Sequence, residues 1–115
     1  MLLKESDLNQ FTGTLKYYTH WTRIQYTDGI KFLAEQGEAY WLIDAITSYQ
    51  TKKIRRIPFQ VWELKKTEKT KAILTMKEDT NQPELIKQEI PYTDFPLNEI
   101  KLYLIDGILL LPSEY

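Results

Sequence analysis

The 115-residue chain contains no cysteine and a single histidine, His20. The first absence removes disulfides, thiolate nucleophiles, zinc fingers and iron–sulfur clusters. The second leaves too little imidazole to build most catalytic zinc sites or acyl-transfer triads from one copy of the chain. Long apolar runs are missing as well. The longest, Ile108 to Pro112 and Ala39 to Ile43, fall far short of the roughly 18 residues that argue for a membrane-spanning helix. Lys4, Glu5 and Asp7 interrupt the stretch from Met1 to Phe11, so it holds no hydrophobic region of signal-peptide length. A cytoplasmic protein without membrane association or cofactor is therefore expected, with carboxylate-based chemistry left open.

What is present is sorted by position. Between Thr51 and Lys77 stand nine basic residues (Lys52, Lys53, Arg55, Arg56, Lys65, Lys66, Lys69, Lys71 and Lys77) against Glu63 and Glu68, a local charge of +7. Residues 1–50 carry −2 and residues 78–115 carry −6, so the formal net charge of −1 hides a bipolar chain. The acidic end either neutralises the basic middle or leaves it open to an anionic partner. A chain of this length suits one domain, residues 1–115, hiding about 65% of the surface of its unfolded form. Tyrosine and tryptophan are plentiful, and they join an apolar body to a polar tip that suits both core margins and interfaces.

The pattern predicts an α+β fold. Ser6 is placed to cap a short helix through Leu8 and Phe11, which Thr12-Gly13-Thr14 breaks. Leu15 to Tyr26 reads as a strand, with Tyr17, Thr19 and Trp21 on one face and Tyr18, His20 and Thr22 on the other. Asp28 then caps a helix that Gly37 ends by tolerating a left-handed backbone. A second helix runs from Glu38 or Ala39 to about Tyr49, with Leu42, Ala45, Ile46 and Tyr49 as its buried stripe and Asp44 at the margin. Beyond the basic linker, Phe59–Lys66, Ala72–Lys77 and Leu85–Ile90 read as strands. Ile100, Leu102 and Leu104 alternate before Asp106-Gly107, the pair that a two-residue type I′ turn demands, and Ile108–Leu111 returns as the partner strand. Short connections imply a meander of four or five antiparallel strands in the second half, with two or three helices of the first half laid on one face.

The segments YTDGIKFLAEQGEAYWLIDAI, PFQVWEL, IPYTDFPLNEIKLY and GILLLPSEY, taken together, resemble a family of small single-domain proteins found mainly in cyanobacteria and known only as a domain of unknown function. The resemblance implies a free-standing cytoplasmic domain and carries no activity.

Three groups of residues are candidate sites. Lys52, Lys53, Arg55 and Arg56, followed by Phe59 and Trp62, join cations for phosphates to aromatics for stacking, the composition of a nucleic-acid contact. Against it stands the pI of about 5.8, where dedicated nucleic-acid modules usually exceed about 9. Carboxylates such as Glu89, Glu99 and Asp106 are the expected internal partners of the basic hairpin. Tyr18, His20, Trp21 and Arg23, with Trp41 and Asp44 on the following helix, have the chemistry to line a pocket for a planar or anionic ligand. His20 and Asp44 together would form an acid/base couple, but nothing in their spacing brings them together. The run Ile108–Leu111 is either a central strand or a sticky edge open to a second copy. No metal site is expected, because Asp94, Glu99 and Asp106 fall in separate turns without the spacing of a calcium loop. The expected function is a non-enzymatic interaction module that binds a protein partner or itself. Nucleic-acid binding through residues 52–56 is the first alternative, and small-molecule binding or acid/base catalysis near His20 the second.

Overall fold

The computed structural model describes residues 3–13, 16–20, 22–79 and 81–115. Along the chain these form α1 (Glu5–Leu8), β1 (Tyr17–Thr19), β2 (Gln25–Thr27), α2 (Asp28–Gln36), α3 (Tyr40–Ser48), α4 (Lys52–Arg55), β3 (Phe59–Lys66), β4 (Ala72–Lys77), β5 (Ile86–Ile90), β6 (Glu99–Ile105), β7 (Ile108–Leu110) and a closing 3₁₀ turn, Pro112–Glu114. The fold is α+β, its helices mostly in the first half and its strands mostly in the second. No helix among the described residues is long and apolar enough to cross a membrane.

The seven strands make one sheet in the order β1-β2-β7-β6-β3-β4-β5, antiparallel throughout except that β2 runs parallel to β7. The hairpin expected at Asp106-Gly107 is present. Both residues take positive φ, 50° and 81°, and Ile105 faces Ile108 across the turn. The second half is not a simple meander, however: β6 lies beside β3, so the connection from β5 returns across the sheet. That connection is anchored by Phe95, which is fully buried and packs near Gly37. Ile108–Leu110 is a central strand between β2 and β6 and offers no edge to a second copy.

In the amino-terminal half, the expected single strand is a hairpin of two short ones. His20 N–H donates to Ile24 O and Arg23 N–H to His20 O, both at 2.8 Å, while Arg23 takes the left-handed conformation at φ 75°. Those two bonds and the left-handed Arg23 reverse the chain between β1 and β2. Helix α1 starts after Lys4, whose N–H is met by the Asp7 carboxylate at 2.9 Å, so Ser6 is not its cap. Thr27 rather than Asp28 caps α2, its hydroxyl accepting from Ile30 N–H at 3.2 Å. Gly37 ends α2 at φ −93°, and the left-handed residue is Glu38, at φ 51°. Gly37 is needed for space: a Cβ there would stand 2.8 Å from Leu33 O and 3.1 Å from the Phe95 ring.

One hydrophobic core lies between the helices and the inner face of the sheet. Ile30, Leu33 and Ala34 of α2 and Leu42, Ile43 and Ile46 of α3 meet Trp62, Leu64, Leu74, Met76, Leu102, Leu104 and Leu109 from the strands. A polar node is sealed beneath them. Gln60, 1% exposed, donates to Gln50 Oε1 at 2.9 Å and to Ile54 O at 3.1 Å, while its Oε1 accepts from Trp62 Nε1 at 2.9 Å and Gln50 Nε2 at 3.0 Å. Buried amides are tolerable only when so satisfied. This node also fixes α4 to the end of β3.

Candidate functional site: the outer face of the sheet and the basic turn

Every strand has a second face, and the pairing registers arrange its residues in rows. Phe59 stands beside Ile105, which stands beside Ile108. In the next row Lys77, Val61, Tyr103 and Leu110 are neighbours, then Lys87, Thr75, Glu63 and Lys101, then Glu89, Ile73, Lys65 and Glu99. Val61, though buried, is not part of the helix-covered core. The cover on this side comes from the carboxy-terminal turn. Tyr115 meets the rings of Phe59 and Tyr103 edge-on, both with centroids 5.7 Å away, and those two rings lie 5.0 Å apart. Tyr115 is itself 75% exposed, so the aromatic end of the face still meets solvent.

Glu114 holds that turn in place. Its carboxylate accepts from the Thr27 hydroxyl at 2.6 Å, Leu111 N–H at 3.0 Å and Gly29 N–H at 3.4 Å, and so sits at the amino terminus of α2, where negative charge is favoured. Burial still pushes its pKa above the ordinary carboxylate value, with those three hydrogen bonds pulling the other way. A groove of about 540 Å³ runs between the turn and the sheet, bounded by Leu8, Pro112 and Ser113 on one wall and Glu63, Lys65 and Lys101 on the other. A second depression of about 300 Å³ continues past Lys65, Thr75, Lys77 and Lys87.

The charge on this face is interleaved. Lys65, Lys77, Lys87 and Lys101 share it with Glu63, Glu89 and Glu99, Lys65 lying 3.4 Å from Glu63 and standing opposite Glu99. Here the basic middle of the chain is countered by carboxylates, two of them, Glu89 and Glu99, from the acidic end. The start of the basic segment differs. Lys52, Lys53, Arg55 and Arg56 are exposed on the single helical turn α4, and none of them forms an ion pair among the described residues. Phe59 follows three residues after Arg56, so the four cations come just before the aromatic end in the chain, while Ile54 and Ile57 pack α4 against the core.

Trp62, named with them from the sequence, does not join them. It points to the opposite face, is fully buried, and packs against Tyr49 with its indole N–H on Gln60. Strand parity explains the difference: Phe59 and Trp62 are an odd number of residues apart, so they occupy opposite faces. Tyr103 and Tyr115 are the aromatics that accompany Phe59. Sequence reading missed them because the contact is made by strand pairing and by the curl of the terminal turn. Gln60 was missed too, although it shares the parity of Trp62 and Leu64, a sign that it faces the core.

The candidate pocket around His20 is drawn together in part. His20 Nε2 and Asp44 Oδ1 are 2.8 Å apart, so the couple that the spacing did not suggest is formed by docking the β1–β2 turn on α3. Thr22 N–H donates to His20 Nδ1 at 3.2 Å. Since a backbone N–H only donates, Nδ1 is the acceptor and Nε2 carries the hydrogen given to Asp44. Thr22 Oγ1 lies 2.8 Å from the same Nδ1. The imidazole is 9% exposed and its basic lone pair is turned toward its own loop, whereas Asp44 is 65% exposed. The arrangement clamps the turn to the helix; it does not aim a base at an open site. Tyr18 stacks on Tyr26 at 5.6 Å and lies under Lys31 Nζ at 4.4 Å. Arg23 is exposed, and Trp41 is half-buried against the core. Trp21 lies outside the described residues.

These features define an α+β domain with one helix-covered and one open sheet face. The chain belongs to the family of unknown function DUF6876, which matches residues 2–115. No match is found among curated proteins or among solved structures.

Proposed function

We propose that the protein is a non-enzymatic interaction module whose docking surface is the outer face of the sheet together with the basic turn α4. The observation that carries this reading is the half-exposed aromatic end, Phe59, Tyr103 and Tyr115, preceded in the chain by four exposed cations that form no ion pair among the described residues. Aromatic residues and arginine are enriched in the anchors of protein interfaces. The partner that fits is a protein segment carrying apolar residues for the aromatic end and carboxylates for α4. The interleaved lysines and glutamates further along the face suit the mixed charges of a polypeptide and oppose a polyphosphate, which is drawn to an unbroken basic groove.

Nucleic-acid binding is the second reading, favoured by the exposed cations of α4 beside Phe59, and it is confined to that end of the face. Fluorescence anisotropy separates the two, with a labelled peptide of alternating glutamate and leucine or phenylalanine as one probe and labelled oligothymidine as the other. The expected result is peptide binding that weakens with salt and is lost in both Arg55→Glu/Arg56→Glu and Tyr103→Ala. Tighter binding of oligothymidine would move the assignment to the second reading, and failure of both probes to bind would overturn the proposal. A cytoplasmic location belongs to the same proposal, and fractionation of the native host tests it.

A further inference from the structure

Strand β5 ends the sheet, paired with β4 on one side and with no strand on the other among the described residues. Its sequence is Ile86-Lys87-Gln88-Glu89-Ile90. Turned around its middle residue, this strand is complementary to itself. We propose that β5 is the site at which a second copy of the chain adds, antiparallel and centred on Gln88, joining two seven-stranded sheets into one of fourteen.

In that register Lys87 stands opposite Glu89 of the second copy and Glu89 opposite its Lys87, on the outer face. Ile86 and Ile90 stand opposite each other on the inner face. Residues directly opposite in an antiparallel pair have Cβ atoms about 4.5–5.5 Å apart, and opposite charges there attract. A register centred on a residue works whichever backbone groups point outward: either the Gln88 pair or the two Lys87–Glu89 pairs exchange the hydrogen bonds. Among the described residues neither Lys87 nor Glu89 forms an ion pair, their cross-strand neighbours in β4 being Thr75 and Ile73.

Four further observations fit the same partner. Edge strands that avoid pairing are commonly guarded by charge, lysine above all; here the two charges are opposite in sign and symmetric about Gln88, so a copy meets attraction. Of the five exposed large hydrophobics among the described residues, Leu85 and Tyr92 flank this strand, and the two-fold register sets Leu85 against Pro91 of the second copy, next to its Tyr92. Pro83 and Pro91 bracket the strand, which confines pairing to this short segment, since proline cannot donate to the ladder. Gln88 is held by the Tyr49 hydroxyl at 2.6 Å, which fixes the residue through which the two-fold axis passes. The two-fold makes the contact isologous and closed, a dimer and not a fibre.

A five-residue strand buries little area, so the dimer belongs to the weak, concentration-dependent class. Sedimentation velocity from micromolar to near-millimolar protein tests it. The expected mass rises from 13.7 kDa toward twice that value. Lys87→Glu alone and Glu89→Lys alone each turn two attractive pairs into repulsive ones, so each should raise Kd at least tenfold. Mixing the two variants restores both attractive pairs and should recover dimer, as should the double exchange K87E/E89K in a single chain. A wild-type mass of 13.7 kDa at every concentration would overturn the proposal. So would single variants that associate like wild type, or failure of both the mixture and the double exchange to recover. This site is separate from the outer-face surface, and Tyr103→Ala should leave the dimer intact.

Discussion

Strand β3 serves two surfaces, and the contrast between them separates what builds this protein from what it offers to others. On the inner side Gln60, Trp62 and Leu64 are sealed, and every polar atom of the pair Gln60–Trp62 has a partner. On the outer side Phe59, Glu63 and Lys65 meet only the terminal turn, neighbouring side chains and solvent. The same two-residue alternation runs through both. The inner residues are constrained by volume and by hydrogen-bond satisfaction, the outer ones, apart from the buried Val61, by neither, so an aromatic cluster left there is more readily accounted for by binding than by folding.

Breaking the inner side should cost most. Gln60→Leu strands the Trp62 indole N–H and removes the tie to Ile54, and a buried donor without a partner costs about 1–3 kcal/mol. The loss should fall near the top of that range and show as a lowered urea midpoint with unchanged slope. Gly37→Ala comes next. Its methyl group would press on Leu33 O and the Phe95 ring, neither free to move far, and overpacking of this kind costs about 1–3 kcal/mol; thermal unfolding reads it. On the outer side Tyr103→Ala removes ring contacts with Phe59 and Tyr115 worth about 0.5–1.5 kcal/mol each at full burial and less at this exposure. Its effect on stability should therefore be the smaller, and its effect on peptide binding the larger. If Tyr103→Ala destabilised as strongly as Gln60→Leu, the division between the two sides would be wrong.

The subtlest change concerns the turn that covers the outer face. Because burial raises the folded-state pKa of Glu114 above its unfolded value near 4.5, the protonated carboxyl is favoured by folding. Its stabilising contribution is present below that unfolded pKa and is lost as pH rises through the folded one. Measured from pH 4 to pH 7, wild type should lose stability relative to Glu114→Gln as the pH climbs. A difference that stays constant over that interval would show that burial does not govern this carboxyl.

How much of this could be read beforehand depended on whether the signal was local. Asp106-Gly107 announced its turn because few residue pairs accept two successive positive φ values, and β3 and β4 followed from alternation. The turn at His20–Arg23 gave no such sign: Arg23, not glycine, takes the left-handed conformation. The His20–Asp44 contact depends on how that hairpin docks against α3, a tertiary fact no spacing encodes. Of the named basic and aromatic residues, Lys52, Lys53, Arg55 and Arg56 are exposed and Phe59 lies on the outer face. Trp62 was misplaced because the charge run drew attention away from strand parity.

The place of β7 has a consequence for how the chain comes to be made. Its neighbours are β6, just before it, and β2, some eighty positions earlier. A nascent polypeptide leaving the ribosome therefore carries its first hairpin without its β7 partner until that strand has emerged. Pairings between such distant segments slow folding, and until Ile108–Leu110 has emerged Tyr26 and its neighbours are the stretch a chaperone would meet.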